Sequence, residues 1–235
     1  CQDGTKVKTA QTWIEKRRPE ILKLFKKEVY GESPENRIPM RIKIVEEGQD
    51  ALSGKAIRKQ VAIHLGESNR ILSINLLLYL PKVSNQPLPA FLTLNFQGNH
   101  TVHSDPAILL PNTWVRNRNG IKDNQAREKD RGLAASRWAI NEMINRGYAF
   151  ATVYYGDIDP DFDDGFQNGI HALFPLLESE KRKRSDWGSI AGWAWGLSRC
   201  LDYLEQDPRI DGKRVAVMGH SRLGKTSLWA GAIDE

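Results

Sequence analysis

Apolar residues recur with different periods along this chain. In residues 20–30, Ile21, Leu24, Phe25 and Val29 repeat at helical spacing behind Pro19. Gly31 stands where such a helix can end in the left-handed conformation. From Leu72 to Leu80 every second residue is apolar, which is the spacing of a strand, and Pro81 stops it. Residues 91–96 predict another strand, with Leu92, Leu94 and Phe96 on one face.

Further on, helix and strand patterns alternate. Leu133, Ile140, Met143 and Ile144 form one helical stripe over residues 133–146, with Gly147 as its stop. Residues 148–155 are a nearly continuous apolar and aromatic run, as in a strand covered on both faces. Over 188–206, Ile190, Trp193, Ala194, Leu197, Leu201 and Leu204 follow the 3.6-residue period. No charge falls between Gly188 and Ser198, so this helix is expected to be deeply buried, and Asp207-Pro208 breaks it. A short strand over 215–218, a tight turn over 219–224 and a helix over 225–235 complete the pattern. Antiparallel-type strands followed by β-α-β-α-β-α predict a mixed sheet wrapped by helices, a three-layer α/β/α sandwich. The chain reads as one domain, with an N-terminal helical segment over 1–35 and the sheet and crossover helices over 36–235.

Composition narrows the class. The 235 residues are 40% hydrophobic and 27% charged, an ordinary globular balance. No apolar stretch approaches the roughly 18–20 residues of a transmembrane helix. The net charge of +5 gathers in two places, Lys6 to Lys27 and Lys181 to Arg184. These clusters lack the interleaved aromatics of nucleic-acid modules and read as solvated faces, so no nucleic-acid partner is expected. The two cysteines, Cys1 and Cys200, form no metal or redox pattern. Cys200 falls on the apolar helix face and reads as a buried thiol. Cys1 admits two readings: the residue left when a lipoprotein precursor is cleaved, or simply where the numbering begins.

Candidate chemistry sits at the last turn. Val215 to Thr226 reads strand, turn, helix, and two motifs overlie it. Gly219-x-x-x-x-Gly224-Lys225-Thr226 satisfies the phosphate-binding P-loop pattern, in which backbone N–H groups cradle phosphates and Lys225 reaches them. Gly219-x-Ser221 also suits a nucleophile elbow, where a serine projects from a sharp strand-to-helix turn. The second glycine of that pattern is displaced from 223, occupied by Leu223, to Gly224. Position favours the elbow. A P-loop follows the first strand of its domain, whereas here several strands precede the turn.

Gly219-His220-Ser221-Arg222-Leu223-Gly224-Lys225 resembles the Gly-x-Ser-Arg-x-Gly-Lys motif of glucuronoyl esterases, carbohydrate esterase family 15, most closely its bacterial branch. The similarity extends to Leu94 through Thr101, to Arg146 through Ala149, to Tyr154 through Asp161 and to Trp193 through Gly196. The resemblance implies an α/β-hydrolase fold, incomplete in this chain, and a serine esterase cleaving 4-O-methyl-glucuronoyl esters between xylan and lignin alcohols. By resemblance, Ser221 is the nucleophile and Arg222 stabilises the oxyanion through its backbone N–H and its guanidinium. Lys225 contacts sugar hydroxyls, and the loop at Gln97-Gly98 offers a second backbone donor. No cofactor and no metal are implied. The substrate, a glucuronoxylan or lignin–carbohydrate ester, argues for an extracytoplasmic site, secreted, periplasmic or anchored through Cys1. An acetyl xylan esterase on the same scaffold, a non-catalytic carbohydrate-binding remnant and the P-loop protein are the alternatives.

The hydrolase fold orders its triad serine, acid, histidine. None of His64, His100, His103, His171 and His220 lies downstream of Ser221, and His220 is its immediate neighbour. The expectation is that a further C-terminal portion supplies acid and histidine. Asp159, Asp161 and Asp163 have the spacing of a Ca²⁺ loop, but Asp164 replaces its glycine and Ile170 its terminal glutamate. That stretch reads as an ordered loop rimming the site. Trp193 and Trp195 read as core, whereas Trp13, Trp114 and Trp187 are each candidates to stack on a sugar ring.

Overall fold

The computed structural model describes residues 1–35, 38–67, 69–117, 122–176 and 181–234. Six strands form one sheet in the order β1-β2-β3-β5-β4-β6. They are β1 (Met40–Ala51), β2 (Ala56–Glu67), β3 (Arg70–Pro81), β4 (Leu88–Asn95), β5 (Ala149–Tyr154) and β6 (Ile210–Met218). The first three form an antiparallel meander, and β3 joins β5 antiparallel. β4 lies parallel to both β5 and β6, so the C-terminal ends of these three share one edge of the sheet.

The chain leaves β4 toward β5 on one side and returns past it to β6 on the other. Right-handed crossovers in opposite directions place their helices on opposite faces. The helix Ile140–Asn145 therefore packs with Leu77, Tyr79 and Phe150 on one face. Ser189–Leu204 and Arg222–Ile233 pack against Leu76, Leu78, Leu92 and Val153 on the other. This is the three-layer sandwich that the patterning predicts. The reversal of direction at β4 makes a topological switch point, where open α/β sheets bind their ligands.

The long helix Ser189–Leu204 buries eleven of its residues, and the missing charge over 188–198 is the cause. Cys200 is fully buried within it. Trp193 and Trp195 are core, as expected.

Several elements differ from the pattern reading. The hairpin β1–β2 is absent from it. β2 carries Arg58, Lys59 and Gln60 in mid-strand, and all three are buried because each has a partner. Arg58 pairs with Glu46 and Asp105, Lys59 donates to Asp207 at 3.0 Å, and Gln60 donates to the carbonyl of Ala107 at 2.9 Å. These satisfied polar groups erase the alternation that would mark a strand. The expected helix over 133–146 shortens to Ile140–Asn145, preceded by 3₁₀ turns, and Leu133 is exposed.

Helical residues begin at Ala10, ten residues earlier than expected. They run through Ala10–Thr12, Trp13–Arg17, Arg18–Phe25 and Lys26–Tyr30, the second and fourth segments with π-type bonding. Gly31 ends the run with φ 85° and ψ 169°, a positive φ but not the left-handed helical cap. A side chain there would strike the carbonyl of Asp186 at 2.4 Å, so glycine is required by close approach. The final helix is Arg222–Ile233, starting three residues sooner than expected; Glu235 lies outside the described residues.

Candidate active site

β6 ends at Met218, and the helix begins at Arg222. Only Gly219, His220 and Ser221 turn the chain between them. Ser221 takes φ 58° and ψ −127°, a region that costs a non-glycine residue about 1–3 kcal/mol. Its side chain makes no capping hydrogen bond to the helix it heads, so it is not there as an N-cap, and the residue is exposed. Gly219 makes the sharp turn feasible: a Cβ there would lie 2.2 Å from the carbonyl oxygen of Leu223 and 2.6 Å from Ser227 Oγ. Gly224, displaced in the sequence pattern, faces the carbonyl of Gly219 across the turn, where a Cβ would sit at 3.3 Å.

The same geometry argues against the P-loop. The N–H of Leu223 donates to His220 at 3.1 Å and that of Lys225 to Ser221 at 3.2 Å. Those amides are spent on the turn and helix rather than open to a phosphate. Thr226 is fully buried and donates to the carbonyl of Arg222 at 3.0 Å, away from any Mg²⁺ position beside a nucleotide. Lys225 is exposed, one turn beyond Ser221.

Arg222 reaches sideways from the elbow to the loop that follows β5. Its Nη1 donates to Asp161 Oδ2 at 2.6 Å, and its guanidinium carbon lies 5.7 Å from the centre of the Phe96 ring. Phe96, at the end of β4, packs edge-on against Tyr155 at 5.4 Å. The elbow arginine thus touches the segments that follow the other two parallel strands, β4 and β5.

The Gln97-Gly98 loop is held by a buried polar network. Asn95 Oδ1 accepts from the N–H of Gly98 at 2.8 Å, while its Nδ2 donates to Asn99 at 2.7 Å and to Thr152 at 3.1 Å. Asn99 donates to the carbonyl of Asn75 at 2.7 Å. Asn75 and Thr113 donate to Asp157, whose complete burial pushes its carboxyl up to about 6 against the pull of those bonds.

The aspartates that have Ca²⁺-loop spacing face different partners. Asp163 accepts from the N–H of Gly165, and Asp161 from Arg222. Burial pushes Asp159 up to about 7. The described residues hold no cluster of three or more metal-ligating side chains.

The histidines supply no base at the elbow. His64 lies on β2, with three strands between it and β6. His100 and His171 are buried, and burial pushes each down to about 4. His103 lies tilted against Tyr79, 6.2 Å between ring centres, and His220 is exposed.

Of the candidate stacking tryptophans, Trp187 is buried between His171 and Phe174, which removes it from that role. Trp114 is half-buried beside Phe162 and Arg116, and Trp13 is exposed on the N-terminal helix. Two clefts open beside the elbow. One of about 350 Å³ is lined by Phe96, Arg137, Trp138, Gly219 and His220. The other, about 410 Å³, lies against Arg116, Asp159, Asp161 and Phe162. A larger cavity of about 620 Å³, lined by Phe166, His171, Phe174 and Trp187, has neither an elbow residue nor Asp161 in its wall.

A strained serine between a parallel strand and a helix, at the switch point of a mixed sheet, defines an α/β-hydrolase. A family model described as fungal glucuronyl esterase matches residues 139–235. The carbohydrate esterase MZ0003, from an unknown prokaryotic organism, is 50% identical over 234 residues, covering 99% of this chain and 54% of its own length. The chain resembles the glucuronoyl esterases, carbohydrate esterase family 15, over almost its whole length.

A glucuronoyl esterase structure from Solibacter usitatus superposes with a TM-score of 0.91 at 43% identity, over 99% of this chain and 59% of that one. A promiscuous esterase of the same family, from a marine bacterial metagenome, gives 0.88 at 49% identity, over 99% and 58%. The chain therefore spans little more than half the length of the relatives it matches. Arg116, Tyr155 and Asp161 were not singled out by sequence reasoning as partners of the elbow, since their relation to Arg222 exists only in three dimensions.

Proposed function

We propose that the protein is a serine carboxylic ester hydrolase acting on glucuronoyl esters, with 4-O-methyl-glucuronoyl esters joining xylan to lignin alcohols as the natural substrate class. The observation that carries this reading is Ser221 in its strained conformation with the Arg222 guanidinium anchored beside it. A serine released from capping and lifted above a sheet edge suits attack on an ester carbonyl.

In the proposed reaction Ser221 Oγ bonds to the carbonyl carbon, and its proton passes through a general base to the departing alcohol. Negative charge develops on the former carbonyl oxygen. The N–H and guanidinium of Arg222 stabilise it, together with a backbone donor from the loop after β4. Gly98 spends its amide on Asn95, so Gln97 takes that part. Water then cleaves the acyl-enzyme, giving the uronic acid and restoring the serine hydroxyl. Lys225, exposed one turn along the helix, contacts sugar hydroxyls. The base and its acid partner come from the portion of the enzyme beyond these residues. The uronate ester class also favours an extracytoplasmic location.

Release of glucuronic acid from benzyl glucuronate by the natural protein, beside its Ser221→Ala variant, tests the reading. Release that vanishes in the variant is expected. A folded protein that releases acetate from acetylated xylan but no glucuronic acid would sink the substrate assignment.

A further inference from the structure

We infer that Asp161 is a positioning residue for this reaction, holding the Arg222 guanidinium at the site of the developing oxyanion. The inference rests on the esterase reading just given and adds to it the group that makes Arg222 effective. A single oxygen, Asp161 Oδ2, accepts from three side chains. They are Arg222 Nη1 at 2.6 Å, Tyr155 Oη at 2.8 Å and Arg116 Nη2 at 2.9 Å. Arg116 also donates to the backbone carbonyl of Asp161 at 2.6 Å, which fixes the residue at both ends.

The carboxylate is itself mostly buried, its side chain 15% exposed, whereas Arg222 is 36% exposed. Tyr155 is fully buried and wedged between Phe96 and Trp193, so its hydroxyl is a rigid donor. The stiff partners are thus on the β5 side, and the mobile one is the elbow arginine. A free arginine side chain would have to be ordered in each catalytic cycle, whereas one already held at Nη1 needs no ordering when charge develops. With three donors on Oδ2, the carboxylate is poorly placed to serve as a base. Two guanidiniums share one carboxylate, so the cluster keeps a net positive charge.

The test uses the natural protein and the variants Asp161→Asn, Asp161→Glu, Tyr155→Phe and Arg222→Ala. The substrate is benzyl glucuronate. A second readout, independent of turnover, is the side-chain ¹⁵Nε–Hε signal of Arg222, assigned by its loss in Arg222→Ala. Asp161→Asn keeps the shape and removes the charge. It is expected to lower kcat about 10–100-fold with KM within about threefold, and to speed the solvent exchange of the Arg222 Hε proton. Asp161→Glu restores part of kcat, because the carboxylate returns one methylene displaced. Tyr155→Phe removes one of the three donors and lowers kcat about threefold or more. It carries the test if Asp161→Asn fails to fold.

An Asp161→Asn or Tyr155→Phe enzyme that melts earlier yet keeps wild-type kcat overturns the inference, as does an Arg222 signal unchanged by either. If the wild type releases no glucuronic acid, the esterase reading fails on its own. The Arg222 signal then still decides whether Asp161 holds the guanidinium.

Discussion

Asn95 Oδ1 receives the backbone N–H of Gly98 at 2.8 Å, so the strand that launches the Gln97-Gly98 loop also ties it down. The bond removes Gly98 from the pool of free donors. It also sets the direction of the peptide before it, the one that carries the Gln97 carbonyl.

Asn95→Ala is therefore expected to act on both stability and turnover. Asn95 is 2% exposed, and its loss leaves the amide of Gly98 and the hydroxyl of Thr152 without their partner. Stranding buried polar groups costs about 1–3 kcal/mol each, so urea unfolding should show a loss of about 2–4 kcal/mol. Activity on benzyl glucuronate should fall about tenfold in kcat with KM little changed. A variant as stable as the wild type would show that the loop is held by other contacts.

Backbone strain at Ser221 separates its glycine and alanine variants. Both lack the hydroxyl and are expected to be inactive. Glycine accepts φ 58°, ψ −127° without a Cβ clash, whereas alanine keeps the strain. Ser221→Gly should therefore be more stable than Ser221→Ala by about 1 kcal/mol in thermal or urea melts, despite glycine's greater unfolded-state entropy. Equal melting points would mean that the turn relaxes when the serine is removed.

Gly219→Ala tests how closely the strand end approaches the helix. The added methyl would sit 2.2 Å from the carbonyl of Leu223, a backbone atom that cannot swing away. A loss of at least about 2 kcal/mol is expected, with activity falling as the elbow shifts. Gly224→Ala meets its nearest atom at 3.3 Å and should cost markedly less.

Asp159 makes stability depend on pH in a direction that can be isolated. Burial raises its carboxyl from 3.8 to about 7. The folded protein keeps a proton that the unfolded chain releases, so this group's contribution is full below about pH 4 and is lost as pH rises toward 7. His100 and His171, both lowered from 6.5 to about 4, act in the opposite sense over much of that window and flatten the wild-type profile. The informative quantity is the difference. The stability of Asp159→Asn relative to wild type should rise between pH 4 and 7, by a few kcal/mol at most, and then level off. Urea melts at four pH values across that range would check it, and a constant difference would refute the raised carboxyl.

What the chain discloses about its own fold follows from where its polar groups go. The strand at Leu72 to Leu80 and the helix behind Gly188 are legible because nothing interrupts their apolar period. β2 is illegible because Arg58, Lys59 and Gln60 are buried against partners contributed by distant segments. β1, at the edge of the sheet, is mostly exposed and irregular in register at Ile44/Glu46 and Glu46/Gln49, so it too lacks an apolar face to read. Ser221 announces itself through local spacing, since an elbow is built from neighbours in sequence. Asp161 does not, because it meets Arg222 across 61 residues of chain. In one dimension it reads as one aspartate in an acidic run. Only the return of the chain past β4 turns it into the arginine's anchor.

That return has a mechanical consequence. Among the described residues β6 pairs with a single neighbour, β4. Pairing with β4 sets the height at which β6 ends, not the direction in which the turn beyond Met218 leaves it. The Arg222–Asp161 contact attaches the end of β6 a second time, to the loop of β5 on the far side of β4. Two attachments on different supports locate the serine by triangulation, and the second is made by the side chain that follows it in sequence.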